Sequence, residues 1–240
     1  MFSRLEFFCA LGFVTLTGVL FSINLNYHSR TAAQQFETLT QDGIDVLNAR
    51  MQTYLLVIKG AAAFVAASDD VSASDFATYT ERLDLVNQLP SITGIGLVVE
   101  VPNDRAASFA QKMRTEVDPS FNFRRLSQED THFVIKYMEP AHQNTKAIGL
   151  DLTFDQERAE VVRQSRDTGS PRLTPPIVLI QAEASRNGAA LFMPIHAATS
   201  AGGDDGTFVG WISAAFVVND ILSGLTSALE QSYYLNPNYA

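Results

Sequence analysis

The spacing of hydrophobic positions changes along the chain, and each change marks an element. Phe7 to Leu25, FFCALGFVTLTGVLFSINL, is an uncharged run of 19 residues. As a helix rising about 1.5 Å per residue, it nearly spans a hydrocarbon core of about 30 Å. It is longer than the apolar stretch of a cleaved signal peptide, and Ala32-Ala33 lies too far downstream for an ideal cleavage site. An uncleaved transmembrane anchor over 1–25 is therefore expected, with a cleaved leader as the alternative. From Ile44 the apolar positions alternate steps of three and four: Ile44, Leu47, Met51, Tyr54, Ile58, Ala61, Val65. That is a heptad seam. It predicts a stalk helix over 26–68, whose last turns, Ala61–Val65, pack on the chain's own domain while the earlier turns offer a surface for self-association.

Beyond the stalk the pattern mixes both periods. Ser72 or Ser74 can cap a helix running to about Leu89, before Pro90. SITGIGLVVEV is rich in β-branched residues and bounded by Pro90 and Pro102, so it predicts a strand. NDRAASFAQKMRTEV predicts a helix capped by Asn103. FNFRRL and HFVIKYMEP predict strands, and FDQERAEVVRQSRDTG predicts a helix capped by Asp155. LTPPIVLIQ, AALFMPIHA and TFVGWISAAFVV predict further strands, AGGDDG a loop, and NDILSGLTSALEQS a short closing helix capped by Asn219. Consecutive strands late in the chain predict an α+β fold, an antiparallel sheet with packed helices.

Composition narrows the function. With 17 basic and 26 acidic residues the net charge is −9, a surface that repels phosphate backbones, so no nucleic-acid partner is expected. Cys9 is the single cysteine, which excludes an intramolecular disulfide and a cysteine metal cluster. His28, His132, His142 and His196 show no metal-binding spacing, and no metal site or cofactor is expected. No Gly-x-x-x-x-Gly-Lys, Gly-x-Ser-x-Gly or Gly-x-Gly-x-x-Gly is present, so nothing supports catalysis. Asp167-Thr168-Gly169 matches the aspartic-protease triplet, but that chemistry needs two aspartates sharing a proton, and this chain has one such triplet, at the end of a polar helix. Gly169 fits the left-handed position after a helix, with Pro171 just beyond. Arg124, Arg125 and Lys136 read as solvated strand positions and Trp211 as core.

Asp151 lies between Leu150 and Leu152. It can be a turn residue after Gly149, a helix cap displaced from the start near Asp155, or a polar hook on a pocket wall. A buried acid needs hydrogen-bond partners or costs several kcal/mol. The residues alone favour the turn.

Taken in order, ITGIGLVVEVP, YMEPAHQNTKAIGLDL, RQSRDTGSPRLTPPIVLIQ, LFMPIH and GWISAAFVVNDIL resemble the CHASE domain, the extracytoplasmic sensory module of receptor histidine kinases and nucleotide cyclases, including plant cytokinin receptors. The resemblance covers about residues 80–222. It implies a PAS-like α+β sensory domain over 69–222 on its stalk, with 223–240 as a tail. It further implies a small-molecule ligand, a membrane anchor, a homodimer through the stalk, and a place in the periplasm or outside the cell on a bacterial plasma membrane. By position, the aspartate that anchors the hormone in plant members matches Asp151, and a pocket leucine matches Leu173; these two are the ligand-binding expectation. Thr168 and Gly169 match as structural residues. The expected function is a membrane-anchored sensor without an enzymatic output in this chain; the alternative is a secreted periplasmic solute-binding protein with a cleaved signal peptide.

Overall fold

The computed structural model describes residues 4–84, 89, 91–125, 127–179, 186–197, 206–217 and 219–220. The chain divides into two units, of which residues 50–224 form the larger. A long helix α1, Arg4–Ala66, opens the chain. There follow α2 (Ala73–Arg82), β1 (Ile92–Pro102), α3 (Ala106–Glu116), β2 (Thr131–Glu139) and a one-turn α4 (Ala141–Asn144). Next come α5 (Gln156–Thr168), β3 (Arg172–Leu173), β4 (Ile177–Leu179), β5 (Arg186–His196) and β6 (Phe208–Val217).

The strands form one six-stranded antiparallel sheet in the order β2-β1-β6-β5-β3, with β4 also paired to β5. Its two faces bury different helices, as the period-two alternation of each strand requires. On one face α1, from Tyr54 onward, packs with Phe76 of α2 against Leu97, Leu191, Met193, Ile212 and Phe216. Tyr54 stacks on Phe216 with ring centroids 5.5 Å apart. On the other face Ala159 and Val162 of α5 pack against Val98, Phe133, Phe192, Trp211 and Ala215. Trp211 meets Phe133 and Phe208 edge-on, at 5.1 and 4.7 Å, which makes it core.

Local chemistry sets the helix ends. Ser72 caps α2 in a reciprocal box with Asp75. The helix stops at Arg82, short of the expected Leu89, and Asp84 takes a left-handed φ of 48° just beyond. Asn103 makes no side-chain cap; it opens a 3-10 turn, Asn103–Arg105, before α3. Asp155 caps α5 through the Arg158 amide at 3.1 Å. Gly169, at φ 61°, closes it. Two ties fix α5 to the sheet. The Ser165 hydroxyl donates to Phe192 O at 3.0 Å, and Arg166 Nη1 to Glu100 Oε1 at 2.8 Å.

FNFRRL is not a strand among the described residues. It contributes a single bridge, Arg124 to Leu150. The buried part of the stalk seam begins earlier than expected: Tyr54 and Ile58, read as part of a self-association surface, are buried in the domain core with Ala61 and Val65, because the sheet extends along two more turns of α1, whereas Ile44 is 46% exposed. Among the described residues no helix is long and apolar enough to cross a membrane. Phe7–Leu25 is helical, but most of its side chains lie outside those described. The loop 201–205 and nearly all of the closing helix after Asn219 also lie outside the described residues.

Candidate functional site

The segment Gly149–Asp151 runs along the outer edge of β2. Gly149 N donates to Ile135 O at 2.8 Å, and Ile135 N donates to Leu150 O at 3.0 Å. An unpaired sheet edge is thereby covered. Gly149 makes this possible with φ 77°, and a Cβ there would collide with the Asn122 carbonyl. Strand-like alternation then sends Leu150 and Leu152 to one side, where they line a cavity with Ile135, Phe192, Ala215 and Arg158.

Asp151 is not on that lining. It is wholly buried and caps a 3-10 turn, Leu152–Phe154. Its Oδ1 accepts from the Thr153 amide at 3.0 Å and the Thr153 hydroxyl at 2.6 Å. Its Oδ2 accepts from the Ser127 hydroxyl at 3.1 Å and lies 2.9 Å from His132 Nδ1. A carboxylate only accepts, so the shared proton belongs to Nδ1. The expectation that this carboxylate faces a ligand meets one whose oxygens already have four partners within the protein. The short 3-10 turn is the helix that the sequence did not reveal for Asp151 to cap.

The Ser127, His132 and Asp151 trio is not a catalytic triad. A triad needs the serine on Nε2, opposite the aspartate. Here Ser127 Oγ lies 3.5 Å from Nδ1, on the aspartate's side. His132 Nε2 is buried with no hydrogen-bond partner among the described residues. Sequence reasoning missed His132 and Ser127, because nothing local ties positions 19 and 24 residues before Asp151 to it.

Leu173 is 51% exposed on β3. It pairs with Leu191, and cross-strand partners share a face. Leu191 belongs to the face that carries α1, whereas Phe192 lines the cavity. The structure therefore does not bring Leu173 and Asp151 together at one wall. Thr168 and Gly169 end α5: the Thr168 hydroxyl donates to Gln164 O at 2.7 Å, and Gly169 holds the left-handed position. Asp167 is exposed and pairs with Arg166 at 3.0 Å.

The cavity itself is apolar apart from Arg158 and Ser213. Its free volume is about 30 Å³, enough to admit a water but well below the usual small-molecule site. Arg158 is 7% exposed, 3.5 Å from Asp155, and its Nε has no acceptor among the described residues. Burial pulls this guanidinium below its usual range, and Asp155 opposes the shift. Among the described residues no group of His, Cys, Asp or Glu could hold a metal ion.

An antiparallel sheet with helices on both faces, a small, mainly apolar cavity and a buried unpartnered donor on its wall describe a ligand-binding domain better than an active site. The chain belongs to the CHASE domain family, which matches residues 69–236. CHASE domains are extracytoplasmic sensory domains, and this chain carries one. No curated protein matches it. Among solved structures it is similar to the ligand-binding domain of the amino acid chemoreceptor PctC of Pseudomonas aeruginosa PAO1 in complex with GABA, at 12% identity and a TM-score of 0.44. That alignment covers 75% of this chain and 63% of the other. It is also similar to Methyl-accepting Chemotaxis protein X, at 14% identity and a TM-score of 0.38, covering 80% of this chain and 68% of that one.

Proposed function

We propose that the chain is a membrane-anchored extracytoplasmic sensor, held by the Phe7–Leu25 helix, dimeric through the early stalk, with a PAS-like sensory domain over 69–222. Its ligand is a small, mainly apolar molecule carrying one hydrogen-bond acceptor. The observation that supports this reading is the cavity between the sheet and α5, with Arg158 Nε unpartnered on a wall that is apolar but for Ser213. A buried donor without an acceptor costs about 1–3 kcal/mol, and a ligand acceptor placed there recovers it. At about 30 Å³ the cavity is far smaller than the usual small-molecule site, so a ligand of more than a few atoms must part β4 from the loop that carries Leu150 and Leu152. Asp151 enters this reading as the clamp that sets those two leucines on the wall. Signal leaves through α1, which packs on the opposite sheet face.

The test is a thermal-shift screen of the full chain in detergent micelles, followed by titration of each hit against Arg158→Met and Ala190→Phe. Loss of binding in both variants, with folding retained, supports the site. A screen in which no hit loses affinity in either variant overturns it. Membrane fractionation tests the anchor: a mature chain that lacks residues 1–25 and stays soluble supports the secreted solute-binding alternative instead.

A further inference from the structure

A second cavity, of about 560 Å³, opens between β2 and the segments 117–124 and 145–148, within the usual range for small-molecule sites. Its walls include Phe121, Arg124, Lys136, Tyr137, Glu139 and Lys146. Lys136 reaches it because β2 carries a bulge. Leu97 pairs with Tyr137 and Val98 with Ile135, so Lys136 has no partner on β1. A bulge re-aims its extra side chain. The Lys136 side chain is 16% exposed, and its ammonium lies 4.7 Å from the Tyr137 ring centroid.

The charge there is poorly matched. Among the described residues the carboxylate within ion-pair reach of Lys136 is Asp70, at 3.9 Å; it is 74% exposed and shared with Lys112 at 4.0 Å. Burial pulls the Lys136 ammonium below its usual range, and Asp70 offsets that only in part. A buried charge is tolerated when paired and hydrogen-bonded; this one is neither well. Lys146 adds an exposed cation on the same lining, and Arg124 a third, its guanidinium donating to the Lys146 and Ile148 carbonyls. The two acids on the lining are already engaged. Asp118 Oδ1 accepts from the Ser120 amide and hydroxyl, both at 2.7 Å, and Glu139 Oε2 from the Ala141 amide at 2.8 Å. Those bonds hold both acids as carboxylates, so the lining carries three cations against two anions, a net positive cavity in a chain of net charge −9.

We infer that this cavity is a second binding site, independent of the first, for a small organic carboxylate whose oxygens pair with Lys136 and Lys146. A compact ammonium on a flexible stem suits a carboxylate without demanding bidentate geometry.

Isothermal titration of the full chain in detergent micelles with succinate, citrate and benzoate tests this, with neutral succinamide as control. Saturable binding of at least one carboxylate is expected. It should weaken tenfold or more in Lys136→Met, weaken severalfold in Lys146→Met, and stay unchanged in Lys59→Met, an exposed lysine on α1 away from the cavity. Lys146 is exposed, so its variant decides the matter should Lys136→Met fail to fold. Binding of none of the three acids, equal binding by the Lys146→Met variant and the parent, or equal binding of succinamide overturns the inference.

Discussion

His132 Nδ1 lies 2.9 Å from Asp151 Oδ2, and both side chains are wholly buried. The pair joins β2 to the loop along its outer edge, and that loop presents Leu150 and Leu152 to the first cavity. Removing Asp151 strands the donors of His132, Thr153 and Ser127, and each buried donor left unsatisfied costs about 1–3 kcal/mol, so a loss of about 3–5 kcal/mol is the expected scale. Asp151→Ala is therefore expected to destabilise by that amount in urea unfolding, before any effect on a ligand. Asp151→Asn, which keeps one acceptor oxygen, should lose less. A double-mutant cycle with His132→Ala should return a coupling of about 0.5–3 kcal/mol. If Asp151→Ala unfolds at the parent's urea midpoint while ligand affinity falls, the clamp reading gives way to a ligand contact.

The end of α5 gives a cleaner backbone test. Gly169 has φ 61° and open space where a Cβ would stand, so any cost of substitution is conformational. Gly169→Val should lose about 1 kcal/mol and Gly169→Asn less, because Asn tolerates the left-handed region. Asp167→Asn should shift stability by under about 0.5 kcal/mol, since Asp167 is exposed. Proteolysis inhibited by pepstatin and abolished in Asp167→Asn would contradict this.

The stalk should respond differently at its two ends. Ile58 is 0% exposed and packs on the sheet. Ile58→Ala is expected to cost about 2–5 kcal/mol in unfolding. Ile44 is exposed, so Ile44→Asp should leave the sensory domain's unfolding unchanged and weaken association in sedimentation velocity. Equal sedimentation of variant and parent would remove Ile44 from any dimer seam.

Tyr137 predicts a pH dependence. Its hydroxyl donates to Val71 O at 3.2 Å. Burial first, then the acids Asp70, Glu116 and Asp75, push its phenol from an ordinary value near 10 up to about 12. The folded state thus favours the neutral phenol. Its stabilisation is complete below pH 10 and is lost as pH rises through about 12. The stability difference between the parent and Tyr137→Phe, about 0.5–1.5 kcal/mol at neutral pH for one hydrogen bond, should shrink across that window in denaturant titrations. A difference that stays constant from pH 8 to pH 12, in roughly that range of conditions, would show the hydroxyl to be exempt from the shift.

The sequence by itself determined the elements whose signals are local. The three-and-four spacing from Ile44 to Val65 specifies a helix. The Ser72 box, the Asp155 cap and Gly169 set helix ends through atoms within three or four residues. The β-branched run after Pro90 and the late apolar runs specify strands, and their succession specifies an antiparallel sheet. The tertiary structure alone decided which face each residue serves. Asp151 and His132 are 19 residues apart in the chain, and only the pairing of 149–151 with β2 brings them together. Leu173 looked like a wall residue until its register with Leu191 placed it across the sheet from Phe192. Lys136 read as an ordinary strand position until the slip between Leu97 and Val98 turned it into the second cavity. Register has a period of two, so a one-residue shift exchanges the faces of every later side chain. That choice is made by the summed burial of the whole sheet, and no local window of sequence contains it.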